Sequence, residues 1–280
     1  MIKKIFLFLL VLFVVFTLRQ FSLAVEDSAY VNHRKGVDYA SEGKFNDAQE
    51  WFEQNLETNK KDSTSASSLA VIKDLNDGKI SKEYVVSFFK SLNLLQDGEF
   101  EKGVKELSKA IAIDPGYVKS YNVLGAAYAS LGDAPKAENN FQKAIELDPL
   151  YVQAYYNLAV LNQSLGREEE ALKDFKKVVE LDSKSLDAVK NIASIYASIG
   201  QYDYAIKYYQ DALKIDHENP DIYYNLSLVY FMSDQVMKFK LNLEKAQELY
   251  KQRGDAEGLK KVEEYMVKIR TLEDKMKSLK

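Results

Sequence analysis

The chain reads as an all-α protein made of stacked helix pairs, and three observations point there. Small, aromatic and leucine-type residues recur every 34 residues: Gly98, Gly132, Gly166 and Gly200; Ala137, Ala171 and Ala205; Leu124, Leu158, Ile192 and Leu226. Within one interval the apolar residues fall at helical spacing twice, from Tyr121 to Tyr128 and from Ala137 to Ile145, with Gly132 between the two runs. Only 4 prolines and 12 glycines occur in 280 residues, and their periodic placement argues against disorder and against a turn-rich β protein.

The first element stands outside the period. Residues 1–24 carry Lys3 and Lys4, an apolar run from Ile5 to Leu18, and the small residues Ser22 and Ala24. This is the pattern of an export signal. The run would reach about 21 Å as a helix, short of the roughly 30 Å hydrocarbon core, and cleavage after Ala24 is expected. The alternative is an uncleaved anchor with Arg19 snorkelling and Phe21 to Val25 lengthening the apolar stretch. Either way the body of the protein is expected outside the cytoplasm: in the periplasm or cell envelope, or extracellular.

Residues 25–280 read as one solenoid. A first helix pair is expected at 29–62, containing Gly43, Phe45, Ala48 and Phe52. The phase then slips, because Gly43 and Gly98 are 55 residues apart, which leaves an insertion at about 63–83. Its serine-rich start, Asp62 to Ser68, reads as a loop, and Leu69 to Leu75 as a short helix before the Asn76-Asp77-Gly78 turn. The excursion is either plain surface or a binding element. Four regular pairs follow at 84–117, 118–151, 152–185 and 186–219.

Local chemistry explains the regular pairs. Gly132 suits a left-handed helix end, Pro135 the first turn of the next helix, and Asp148-Pro149 a stop. Asp114, Asp148, Asp182 and Asp216 recur at the turns between pairs, where an aspartate accepts from following backbone amides. The alanine columns let the two helices approach, and Phe141, Phe175 and Tyr209 fill the space between neighbouring pairs. A sixth pair at 220–253 is half degenerate, with Asp234 in the glycine column and Phe239 in the alanine column. Beyond Gly254 one last helix places Leu259, Val262, Met266, Ile269, Leu272, Met276 and Leu279 along a face. It is expected to cap the last pair or, alternatively, to self-associate as a coiled coil.

Tyr121, Leu124, Gly125, Tyr128, Ala137, Phe141, Ala144 and Pro149 together resemble the tetratricopeptide repeat. The resemblance covers most of the chain after the leader. It implies a right-handed superhelical solenoid of antiparallel helix pairs whose concave groove holds a peptide or protein. Asn157, Asn191 and Asn225 share one column, and the resemblance implies that this column faces the groove. An amide there offers a donor and an acceptor to a peptide backbone, or it ties adjacent repeats together. By the same resemblance Tyr156, Lys190 and Tyr224, with Gln153 and Asp187 one turn earlier, complete the candidate partner-binding set. Val123 breaks the asparagine column in the preceding repeat.

The sequence offers little to catalysis. It has no cysteine, and its two histidines, His33 and His217, lie far apart along the array. No phosphate-cradling glycine loop or nucleophile–base pair stands at usable spacing, so no catalytic residue, metal or cofactor is expected. A net charge of -4, made more negative by loss of Lys3, Lys4 and Arg19, disfavours nucleic acid as a partner. The membrane would be met only through residues 1–24. The expected function is a non-catalytic interaction scaffold of the cell envelope, with a membrane-anchored assembly or pilus and secretion-biogenesis factor as the alternative. A carbohydrate-acting protein using carboxylates ranks behind both.

Overall fold

The structure, a computed structural model, describes residues 30–60 and 62–278, and of 268–278 only the backbone. The leader at 1–24 and the apolar stripe from Ile269 onward lie outside the described residues or side chains. Every described element is a helix: α1 (30–41), α2 (Phe45–Thr58), α3 (Ser63–Asn76), α4 (Lys82–Gln96), α5 (Phe100–Ile113), α6 (Val118–Ser130) and α7 (Ala134–Leu147) come first. They are followed by α8 (Val152–Ser164), α9 (Glu168–Leu181), α10 (Leu186–Ser198), α11 (Tyr202–Ile215), α12 (Pro220–Met232), α13 (Val236–Arg253) and α14 (Ala256–Ser278). The chain divides into two compact units, with the division between Leu161 and Asn162 inside α8. The fold is one of stacked helix pairs.

In the first unit the pairs α4–α5 and α6–α7 follow the period. Gly132 takes φ +75°, which lets Asp133 N–H donate back to Tyr128 O at 2.9 Å and turns the chain into α7. At the other end, Asp114 and Asp148 accept from the N–H two residues on, at 3.1 and 2.9 Å, as their recurrence implied. Close approach is built in as well. A methyl group at Gly125 would come within 2.6 Å of the buried Phe141 ring, so α6 and α7 can meet there only over a glycine.

The insertion corrects the loop reading of Asp62 to Ser68: the serines open a full helix. Asp62 caps α3 by accepting from Thr64 N–H (3.0 Å) and Ser65 N–H (3.2 Å), and Asn55 of α2 donates to Asp62 (2.7 Å) and Ser65 (2.8 Å). The extra helix changes direction downstream. Regular pairs have one helix between successive first helices, which therefore run parallel, whereas two helices separate α1 from α4. Arg34, near the start of α1, accordingly makes a two-pronged bond to Asp97 beyond the end of α4 (2.9 and 3.0 Å), and Gly43 beyond α1 lies beside Val86 near the start of α4. Phe52 of α2 lies between His33 of α1 (5.6 Å) and Phe89 of α4 (5.9 Å) at the centre of this four-helix group.

The second unit repeats the regular pattern. Ala171, Phe175 and Val178 of α9 and Ala205, Tyr209 and Ala212 of α11 are buried, as are Ile192 of α10 and Leu226 of α12. Burying a side chain the size of Phe175 contributes about 1.5–3 kcal/mol, so these columns hold the stack together. The sixth pair keeps the turn without its glycine: Asp234 adopts φ 58°, and Gln235 N–H still donates to Tyr230 O at 2.8 Å. Phe239 is buried in the alanine column and meets Phe231 at 5.1 Å, which leaves Phe231 itself 52% exposed. At the end, α14 packs on α13 with Val262 buried and Gly258 seated against the Tyr250 ring.

Candidate functional site

In the first unit, the inner face expected for a ligand is largely covered by the chain itself. Val85, Phe88 and Phe89, on the face of α4 that would lead into a groove, are buried beneath α1 to α3. Lys119, at the start of α6, directs its ammonium at Ser67 O of α3 (3.4 Å), and burial holds its pKa below the usual lysine range. Asp74 of α3 accepts from Tyr117 (2.7 Å) and pairs with Lys79 (2.9 Å), which fixes α3 beside the start of α6.

At the start of α8, Gln153 and Asn157 are brought together: Gln153 Nε2 donates to Asn157 Oδ1 at 3.0 Å. Asn157 Nδ2 in turn donates to Asn122 Oδ1 at 2.9 Å, and Asn122 is 7% exposed. Both polar ends of Asn157 are therefore engaged inside the unit, tying α8 to α6. Tyr156 lies half-buried next to it and has contacts of its own. Asn122 is a residue that the 34-residue column passes over, because the column falls on Val123 one position later. An amide adjacent to the broken column was the available signal.

In the second unit the equivalent positions behave differently. Asn191 on α10 and Asn225 on α12 are half-buried, and among the described residues neither side chain makes a hydrogen bond. Lys190 pairs with Asp187 one turn away on the same helix at 2.9 Å, a contact that solvent weakens. Tyr224 meets Tyr265 of α14 edge-on at 6.2 Å, and burial raises the Tyr224 phenol pKa. Tyr265 could not be found from the period, since α14 lies outside it. The second unit thus presents two unengaged amides 34 residues apart, flanked by a lysine and a tyrosine. That set can donate to and accept from an extended backbone while the tyrosine supplies apolar surface.

Chemistry of another kind is not assembled. Among the described residues no group of three or more His, Asp or Glu side chains is placed to hold a metal ion. His33 is buried against Phe52 and bonded to Ser68 at 3.2 Å, while His217 is solvent-exposed. No described helix is long and apolar enough to cross a membrane.

Comparison with known proteins agrees with this architecture. The tetratricopeptide-repeat family matches at residues 127–166 and 193–234, and a single tetratricopeptide repeat matches at 152–185. Residues 127–185 and 193–234 therefore match tetratricopeptide repeats. No curated protein matches it. Among solved structures, YrrB, described as a tetratricopeptide-repeat protein with an unusual peptide-binding site, is 20% identical, with 70% of this chain and 99% of that one covered and a TM-score of 0.53. MamA from Desulfovibrio magneticus RS-1, from residue 41 onward, is 20% identical, with 63% and 99% covered and a TM-score of 0.55. PilF of Pseudomonas aeruginosa is 13% identical, with 86% and 99% covered and a TM-score of 0.56. At these identities the likeness is one of fold.

Proposed function

We propose that this chain of tetratricopeptide repeats is a non-catalytic interaction scaffold that holds an extended peptide segment of a partner protein against the first helices of its pairs. The carrying observation is the contrast between asparagines in one column: Asn157 is engaged by Asn122 and Gln153, whereas the side chains of Asn191 and Asn225 make no hydrogen bond among the described residues. Half-buried amides without partners are the groups that gain most from a ligand. Lys190 and Tyr224 stand beside them, so the contact centres on α10 and α12. YrrB, a peptide-binding protein of the same fold, supports the assignment.

The test is selection of binding peptides from a random display library, followed by titration of the selected sequences. Asn191→Ala with Asn225→Ala should weaken binding roughly ten-fold or more, at about 0.5–1.5 kcal/mol for each lost bond. Asn157→Ala should instead lower thermal stability and leave affinity unchanged. Equal affinity in the wild type and the Asn191/Asn225 double variant would remove these amides from the site. The scaffold is further proposed to work outside the cytoplasm, on the strength of the lysine-led apolar run at 1–24. N-terminal sequencing of the exported protein separates a cleaved signal, giving a chain that starts at Val25, from an anchor that keeps Met1.

A further inference from the structure

Three departures from the 34-residue pattern meet at one place in the second unit. Ser130, Ser164 and Ser198 share a column in which α12 ends on Met232. The glycine column holds Asp234, whose φ of 58° keeps the turn and adds a carboxylate to it. Lys102, Lys136, Glu170 and Lys238 share a charged column in which α11 carries Tyr204. Met232, Asp234 and Tyr204, with Tyr202 and Asp203, line a cavity of about 570 Å³ between the α10–α11 turn and the α12–α13 turn. Packing of the helix pairs does not call for these side chains, since Met232 is 45% and Tyr204 54% exposed and Asp234 is exposed as well.

Other pairs show what the cavity lacks. Lys136 holds its ammonium 5.1 Å from the centre of the Tyr128 ring, and Lys238 holds its own 5.3 Å from that of Tyr230, so in both pairs a cation of the charged column covers the tyrosine of the first helix. In the α10–α11 pair Tyr204 takes that place, stacked on Tyr196 at 5.0 Å and 23°. The cation on Tyr196 comes instead from Lys176 of α9, which donates to the Tyr196 hydroxyl at 2.8 Å. Tyr204 is thereby fixed at the cavity wall with over half its surface open. Asp203 and Asp234 form no ion pair among the described residues, and Lys238, four residues after Asp234, is engaged by Gln235 Oε1 at 2.8 Å. No lysine or arginine lines the cavity. Two carboxylates and two tyrosines with no cation among them complement a positively charged ligand. An open ring beside carboxylates suits a planar guanidinium better than an ammonium, because the guanidinium can stack on the ring and donate to the carboxylates at once.

We propose that the cavity between these two turns takes an arginine side chain of a partner polypeptide, with the guanidinium stacked on Tyr204 and bonded to Asp203 and Asp234 and the aliphatic stem against Met232. Asn191 and Asn225 stand seven residues before the ends of α10 and α12, about 10 Å back along each helix. The arginine site is therefore a second contact, distinct from those amides, and its test does not depend on them.

The probe is the end-capped tripeptide Gly-Arg-Gly, titrated into the full-length chain carrying isotope-labelled tyrosine and followed by NMR, with Tyr204 assigned as the ring resonance missing in Tyr204→Phe. That resonance should shift and saturate with a dissociation constant on the order of 1 mM. Citrulline in place of arginine keeps the shape, loses the charge and should abolish the shift, while lysine should bind several-fold more weakly. Asp203→Asn with Asp234→Asn should weaken binding roughly ten-fold or more. Tyr204→Lys gives α11 the residue that α7 and α13 carry; it should keep the thermal stability of the wild type and lose the response, read in that variant at Tyr202. Absence of a Tyr204 shift would overturn the proposal, as would citrulline binding as well as arginine or an unchanged constant in the double asparagine variant. A stronger response to choline than to the arginine peptide would overturn it in favour of a quaternary-ammonium site.

Discussion

His33 shows how much a single side chain can carry in a core that otherwise relies on small and aromatic columns. Its ring packs on Phe52 of α2, its Nε2 meets Ser68 of α3 at 3.2 Å, and its Nδ1 faces Gln96 of α4 at 3.5 Å, so three helices close around one imidazole. Burial lowers its pKa from 6.5, and the nearby charge of Asp62 opposes that shift without cancelling it. The unfolded chain therefore takes up a proton near pH 6.5 while the folded chain resists it. Stability from this site is complete above pH 6.5 and is lost as pH falls through 6.5 toward the depressed folded value. Thermal unfolding at pH 7.5 and 5.5 should show a drop for the wild type that shrinks in His33→Gln. An equal drop in both would assign the acid sensitivity to other groups.

At the scale of elements, α3 has the most consequence and was the least readable. The regular pairs are visible in the sequence because each column meets the same neighbours in every repeat, so Ala137, Ala171 and Ala205 are held small by one shared constraint. No such column governs α3. Its buried face includes Ser65 and Ser68, whose hydroxyls meet Asn55 and His33, so the apolar stripe that would have announced a helix is partly written in serine. The reversal of α4 relative to α1 was equally hidden, since it follows from the number of intervening helices. Asp62 is the natural place to test the element. Asp62→Ala removes acceptors for Thr64 N–H and Ser65 N–H and leaves Asn55 without its carboxylate, in a region where Asn55 Oδ1 already has no partner. A loss of about 1–2 kcal/mol in chemical denaturation is expected, with Asp62→Asn recovering part of it. A loss no larger than a few tenths of a kcal/mol would show that α3 is held by packing alone.

For the whole molecule, the site was less legible than the fold for a reason rooted in the same periodicity. A repeat column places Asn157, Asn191 and Asn225 at equivalent positions, but it does not say which of them the chain has already engaged. That depends on Asn122, one residue out of phase, and Tyr224 likewise depends on α14, which lies outside the period. Stacked pairs also make stability a matter of nearest neighbours, so what seals the end of an array protects the pair next to it. In the second unit α14 has that place: Val262 is buried, and Gly258 sits against the ring of Tyr250, whose hydroxyl donates to Asp221 of α12 at 2.6 Å. Ending the chain after Gly254 would open this face and cost about 2–5 kcal/mol, the range for removing a well-packed large side chain. Hydrogen exchange should then show amides of α12 and α13 losing protection while those of α6 and α7 keep theirs. Uniform loss along the chain would mean that the array unfolds as a single cooperative block, and unchanged protection in α12 and α13 would mean that α14 rests on the stack without sealing it.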